Sequence, residues 1–233
     1  IRNVALIGHG GAGKTTLAEA LLHRAGVTNR PGLVDNGTSI FDRDPEEIQR
    51  RSSVSLAVAS FDWTASDGRP YRINLIDTPG HPDFEAEVDA GLTVADLAVL
   101  VVSAADGVEV GTHAAWRKCA ARNLPCMVFV TKEDKHRADF ERVLADLSAA
   151  FGNGVTPIEL PLGEEELFHG VADVISEQAH EYDADGRHHV EPLPADMLEH
   201  EHEVHDRIVE EIVSGDDAQL ERYLEGDVPT PAE

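Results

Sequence analysis

The octapeptide Gly8-His9-Gly10-Gly11-Ala12-Gly13-Lys14-Thr15 constrains this 233-residue chain more than any other stretch. It fits the pattern G-x-x-x-x-G-K-[ST], and it stands where that pattern has physical meaning. A short apolar strand over residues 3–8 precedes it, and a helix over residues 14–25 follows. Glycines let successive backbone N–H groups fold into a nest around phosphate oxygens, and the helix N-terminus adds partial positive charge. His9, Gly10, Gly11, Ala12, Gly13 and Thr16 are the expected lining of that nest. Lys14 is expected to bridge β- and γ-phosphates, and the Thr15 hydroxyl to bind Mg²⁺.

Such a loop does not choose between ATP and GTP, but two later motifs do. Asp77-Thr78-Pro79-Gly80-His81 closes an apolar strand over residues 73–76. Asp77 is placed to hold magnesium through water, and the Gly80 N–H to sense a γ-phosphate. Thr131-Lys132-Glu133-Asp134 ends a second apolar strand over residues 126–130. There the Asp134 carboxylate can accept from guanine N1–H and the 2-amino group, a pair adenine lacks, and an unpaired carboxylate is costly. The Lys132 stem can lie along the base. The three motifs in this order predict a site for GTP or GDP with Mg²⁺.

Around them, residues 1–155 alternate strand and helix signals, which predicts an α/β core with a mostly parallel sheet flanked by helices. Residues 27–52 have no steady period and read as a long loop of the kind that often carries function. Residues 54–63 and 71–76 flank the turn-like Ser66-Asp67-Gly68-Arg69-Pro70 and read as an antiparallel hairpin. Helices are predicted over 109–122 and 139–151. Composition shifts near Gly152, so residues 156–233 are read as a small α+β subdomain with helices near 195–213 and 216–224. The Pro-rich stretch 226–233 reads as a frayed end, and Ile1 as a trimmed start.

Charge narrows the partners. Nineteen Lys and Arg against 44 acidic residues give a formal net charge of −25, a field that repels free DNA or RNA. No apolar run approaches the roughly 20 residues needed to cross a bilayer. Cys119 and Cys126 are too few for a disulfide framework, so a reduced, cytoplasmic setting and a monomer are expected. One distractor is His200-Glu201-His202-Glu203-Val204-His205, which misses the zinc-protease pattern H-E-x-x-H by one residue and reads as a solvated acidic helix face. His188-His189 reads as a loop.

The phosphate loop, the DTPGH segment and the TKED variant of the usual NKxD resemble translational GTPases. The likeness is greatest to elongation factor G and its divergent elongation-factor-G-like branch, and it covers essentially the whole chain. The resemblance implies a Ras-like P-loop GTPase fold, GTP hydrolysis with Mg²⁺, and a ribosome as activating partner. It also implies that residues 156–233 are the subdomain inserted into that fold, and that the last core strand and fifth guanine loop are missing from this stretch. His81 would match the residue that positions the attacking water. The switch segment usually read as RGIT aligns with Arg50-Arg51-Ser52-Ser53, which puts Ser53 where a threonine normally coordinates Mg²⁺. Gly11 stands where an acidic residue is usual, and Thr131 where an asparagine normally ties the base site to the phosphate loop.

Overall fold

A computed structural model describes residues 1–65, 67–152, 154–183 and 187–226. Position 66 of the predicted hairpin turn and residues 227–233 of the predicted frayed end lie outside the described residues. The chain forms two compact units, Ile1–Lys132 and a second beginning at Glu133. The composition shift near Gly152 therefore does not coincide with this division.

The first unit opens with β1 (Arg2–Ile7) and α1 (Lys14–Arg24), followed by α2 (Pro45–Arg50), β2 (Ala57–Thr64) and β3 (Pro70–Asp77). Then come α3 (Glu85–Val94), β4 (Leu97–Ser103), α4 (Val110–Ala120) and β5 (Cys126–Thr131). The sheet order is β2-β3-β1-β4-β5. All pairings are parallel except β2 against β3, whose register sets Trp63 opposite Tyr71. β4 reads LAVLVVS and is buried from Ala98 onward, as expected of a parallel strand covered on both faces. The core gathers Leu6, Leu22, Phe41, Phe61, Leu75, Val99 and Val101. Register pairs Leu6 with Asp77 and Ser103 with Thr131, so the motif residues emerge at the carboxyl ends of the strands. Ligands of open α/β sheets bind at that edge.

In the second unit, α5 (Phe140–Phe151) precedes a four-stranded antiparallel sheet of β6 (Glu159–Leu162), β7 (Gly170–Asp173), β8 (Gln178–Tyr182) and β9 (His188–Pro192). Two helices, α6 (Leu198–Val213) and α7 (Asp217–Leu224), close it. Leu160, Leu162, Ala172, Val174 and Ala179 pack with Val204 and Ile208 of α6.

Three expectations need correction. Residues 27–52 are not one irregular loop, because they contain a short helical turn at Val34–Asn36 and the helix α2. Asp44 caps α2, Pro45 starts it and Glu47 completes a capping box, a local signal strong enough to fold six residues without apolar periodicity. His188-His189 lies in β9, opposite Tyr182 and Glu181 of β8, where pairing rather than alternation of apolar residues makes the strand. The histidine-rich segment is helical, yet Glu201 is only 3% exposed, so that face is not wholly solvated.

Candidate nucleotide site

At the end of β1 the chain turns through Gly8 (φ 136°), Gly11 (φ 80°) and Gly13 (φ 98°), conformations that side chains rarely adopt. A Cβ at Gly8 would overlap the Val101 carbonyl oxygen. Gly13 serves as the N-cap residue of α1, leaving the first helical N–H groups without a side-chain partner. Ala12 is buried, while Gly10, Gly11 and Thr16 are exposed at the loop surface. His9 points its Nε2 toward Glu109, 3.4 Å away.

Lys14 is 6% exposed and folds back over the loop, its Nζ donating to the carbonyls of His9 (2.8 Å) and Gly8 (3.1 Å). Gly80 lies directly against it: a Cβ there would overlap Lys14 Nζ and come within 2.7 Å of Gly10 Cα. Burial lowers the Lys14 pKa to about 8, with the Asp77 charge opposing. Burial likewise raises Asp77 to about 7, against a hydrogen bond from Thr15 and the charge of Lys14. Desolvation outweighs the attraction between the two opposite charges, so each side chain is shifted toward its neutral form.

Around Asp77 the hydroxyls converge. Thr15 Oγ1 donates to Asp77 Oδ2 at 2.6 Å and lies 3.2 Å from Ser53 Oγ. Ser53 Oγ in turn donates to Asp42 Oδ1 at 2.7 Å. Asp77 Oδ1 and Asp42 Oδ2 are both buried without a hydrogen-bond partner. Oxygen donors with two orphaned carboxylate atoms suit a hard divalent cation such as Mg²⁺. No group of three or more His, Cys, Asp or Glu side chains forms a metal cage among the described residues.

The base motif is divided. Thr131 Oγ1 lies 2.7 Å from the Ala12 carbonyl oxygen and 3.2 Å from that of Val102, so threonine ties β5 to the phosphate loop through the backbone. Lys132 sits at φ 61° with Nζ 3.4 Å from Asp106 Oδ2. Asp134, just past the division between the units, is exposed and pairs with Lys135 at 2.7 Å. His81 is exposed as well, with Nδ1 accepting from the Asp83 N–H at 3.3 Å.

Sequence reasoning missed Asp42, Glu19 and Glu47. Asp42 carried no motif of its own, and its role appears only when Ser53 is brought beside it. Glu47 was recoverable from the Asp44-Pro45-x-Glu47 capping spacing.

A mostly parallel sheet with a glycine loop feeding a helix, and a buried lysine and aspartate with a half-buried threonine at its carboxyl edge, defines a P-loop nucleotide-binding domain. The family model of the elongation factor Tu GTP binding domain matches residues 1–223, and the chain belongs to that family. It is 41% identical over 229 residues to the elongation factor G-like proteins of two Mycobacterium tuberculosis strains, CDC 1551 / Oshkosh and ATCC 25618 / H37Rv. That similarity takes in 97% of this chain and 30% of each relative, so the chain spans less than a third of their length. A crystal structure from Thermus thermophilus superposes with a TM-score of 0.89 at 40% identity, over 97% of this chain and 33% of that one.

Proposed function

We propose that this chain is the GTP-binding and GTP-hydrolysing switch module of a ribosome-acting, elongation-factor-G-like protein in the cytoplasm. The observation that carries the proposal is the Thr15–Asp77–Ser53 cluster beside a buried Lys14. Loop amides from His9 to Thr16 and the Lys14 ammonium bind the phosphates of GTP or GDP. Thr15 and Ser53 hold Mg²⁺ through their hydroxyls, and Asp77 holds it through water. Bound Mg²⁺ supplies charge neutralisation on the β- and γ-phosphate oxygens. Thr131 and Lys132 shape the base site and Asp134 selects guanine. The Gly80 N–H meets the γ-phosphate, and His81 orients the attacking water once a ribosome turns it inward. The inserted subdomain covers residues 156–233, following a GTPase core at 1–155.

A second reading is a GTP-binding regulatory module with little turnover. The outward, solvent-exposed His81 favours it, as does Ser53, which lacks the threonine methyl. One titration decides whether the site reads guanine: fluorescent GTP and ATP analogues, each with and without Mg²⁺. Magnesium-dependent binding of GTP in preference to ATP is expected. Equal binding of ATP would overturn the base assignment.

A further inference from the structure

Two glutamates in the first unit are buried without a cation among the described residues. Glu19, on α1 one turn beyond Thr15, is 0% exposed. Its Oε1 accepts from the Ser39 hydroxyl (2.8 Å) and the Ile40 N–H (2.6 Å), and its Oε2 from the Gly32 N–H (2.9 Å). The approach at Gly32 is close enough that a Cβ there would lie 2.7 Å from Oε2. Glu47, on α2, is 4% exposed. Its Oε2 accepts from the N–H groups of Arg43 (3.1 Å) and Asp44 (3.1 Å). Its Oε1 accepts from Val54 (3.0 Å) and Ser55 (3.2 Å).

These bonds have a direction. Glu19 fixes the first half of residues 32–55 to the helix that carries Lys14 and Thr15. Glu47 closes the second half on itself, and the amides it holds on one side belong to the two residues directly after Ser53. On the other side they belong to the two residues directly after Asp42. Ser53 and Asp42 are therefore bracketed, and their own 2.7 Å bond spans the bracket. Capping α2 would need only the Asp44 side of Glu47; the bonds to Val54 and Ser55 are additional. Each of these buried carboxylate oxygens accepts from two N–H or O–H donors, or from one in the case of Glu19 Oε2, which offsets the cost of burying it.

We propose that Glu19 and Glu47 are positioning residues, two carboxylate clasps that hold residues 32–55 so that Ser53 and Asp42 are delivered to Thr15. The proposal rests on the GTP–Mg²⁺ reading above and adds that magnesium affinity is set in part by two side chains that touch neither metal nor nucleotide. Removing a clasp loosens Ser53 and leaves Lys14, Thr15 and the loop amides in place. Nucleotide affinity without magnesium then stays the same while the magnesium requirement rises.

The test is a magnesium titration of fluorescent GTP bound to the whole chain, for the parent, Glu47→Ala, Ser53→Ala and the double variant. The half-saturating Mg²⁺ concentration is expected to rise about tenfold in each variant, the equivalent of one lost oxygen contact. The double variant is expected to match the single ones, since Glu47 acts through Ser53. Hydrogen exchange of the Val54 and Ser55 amides in the nucleotide-free chain should accelerate in Glu47→Ala. Glu47→Gln, which keeps one acceptor oxygen, should fall between and serves if the alanine variant does not fold. Unchanged magnesium dependence in Glu47→Ala and Glu47→Gln, or additive effects in the double variant, would overturn the clasp while leaving the GTP reading intact. A parent chain that binds GTP without regard to magnesium would overturn both.

Discussion

Thr15 Oγ1 lies 2.6 Å from Asp77 Oδ2, joining the first turn of α1 to the last residue of β3. This one bond links the first two motifs of the sequence and brings a hydroxyl to a carboxylate whose other oxygen has no partner. Much of the site's chemistry follows from how poorly that carboxylate is compensated.

Asp77 gives a prediction with a definite sign. Its pKa is raised from 3.8 to about 7, chiefly by burial. A raised acid contributes stability below its unfolded value and loses it as pH rises through the folded one. The nucleotide-free chain should therefore lose stability between about pH 4 and pH 7 on account of this group. Asp77→Asn should raise Tm at pH 8, by about 2–4 °C for each kcal/mol relieved, and much less at pH 5. The same variant should lose the magnesium-dependent part of its GTP affinity. Thermal melts at the two pH values and a magnesium titration check both halves.

Glu133 is a second buried acid outside the phosphate site. Both of its side-chain oxygens are buried without partners, and its pKa is raised from 4.5 to about 7 by burial and by Glu164 and Asp139 nearby. Its contribution is likewise present at low pH and lost as pH rises through about 7. Glu133→Gln should stabilise the chain at pH 8 more than at pH 5.5. A pH-independent difference in melting temperature between variant and parent would contradict this assignment.

On the proposed reading, base choice rests on Asp134. Asp134→Asn should weaken GTP binding about tenfold to a hundredfold, the equivalent of one charge-assisted hydrogen bond. Binding of xanthosine nucleotide should improve, since its extra carbonyl accepts from an amide. Competition titrations of the two nucleotides measure the exchange directly, and unchanged GTP affinity would remove Asp134 from the base site.

The sheet was legible because its signals are local. β1, β4 and β5 are short apolar runs, and the Gly8–Thr15 pattern names its own structural context. The hairpin of β2 and β3 was bounded by turn residues that punctuate it plainly. What could not be read depended on contacts distant in sequence. α3 carries no strong periodic stripe, and α2 is set by a capping box within what looked like irregular chain. β8 and β9 are a polar pair held by strand pairing. At the site, Lys14, Thr15 and Asp77 were named from motif spacing and Ser53 from the family resemblance, and the structure brings Thr15, Ser53 and Asp77 together. Asp42 and Glu19 were not legible, because an acidic side chain in a chain with 44 acidic residues carries no signal until burial singles it out. Thr131 stands where the family usually has an asparagine, and its hydroxyl donates to the Ala12 carbonyl of the phosphate loop.

Phosphate release from GTP, measured with and without ribosomes on the parent and on His81→Ala, tests the central claim most directly. The outward His81 predicts slow intrinsic turnover, on the order of 10⁻⁴ to 10⁻² per second, as in unassisted enzymes of this mechanism. Ribosomes should accelerate the parent, and His81→Ala should keep near-normal GTP affinity while losing most of that acceleration. Turnover that ribosomes leave unchanged, or a His81→Ala variant as fast as the stimulated parent, would contradict the account.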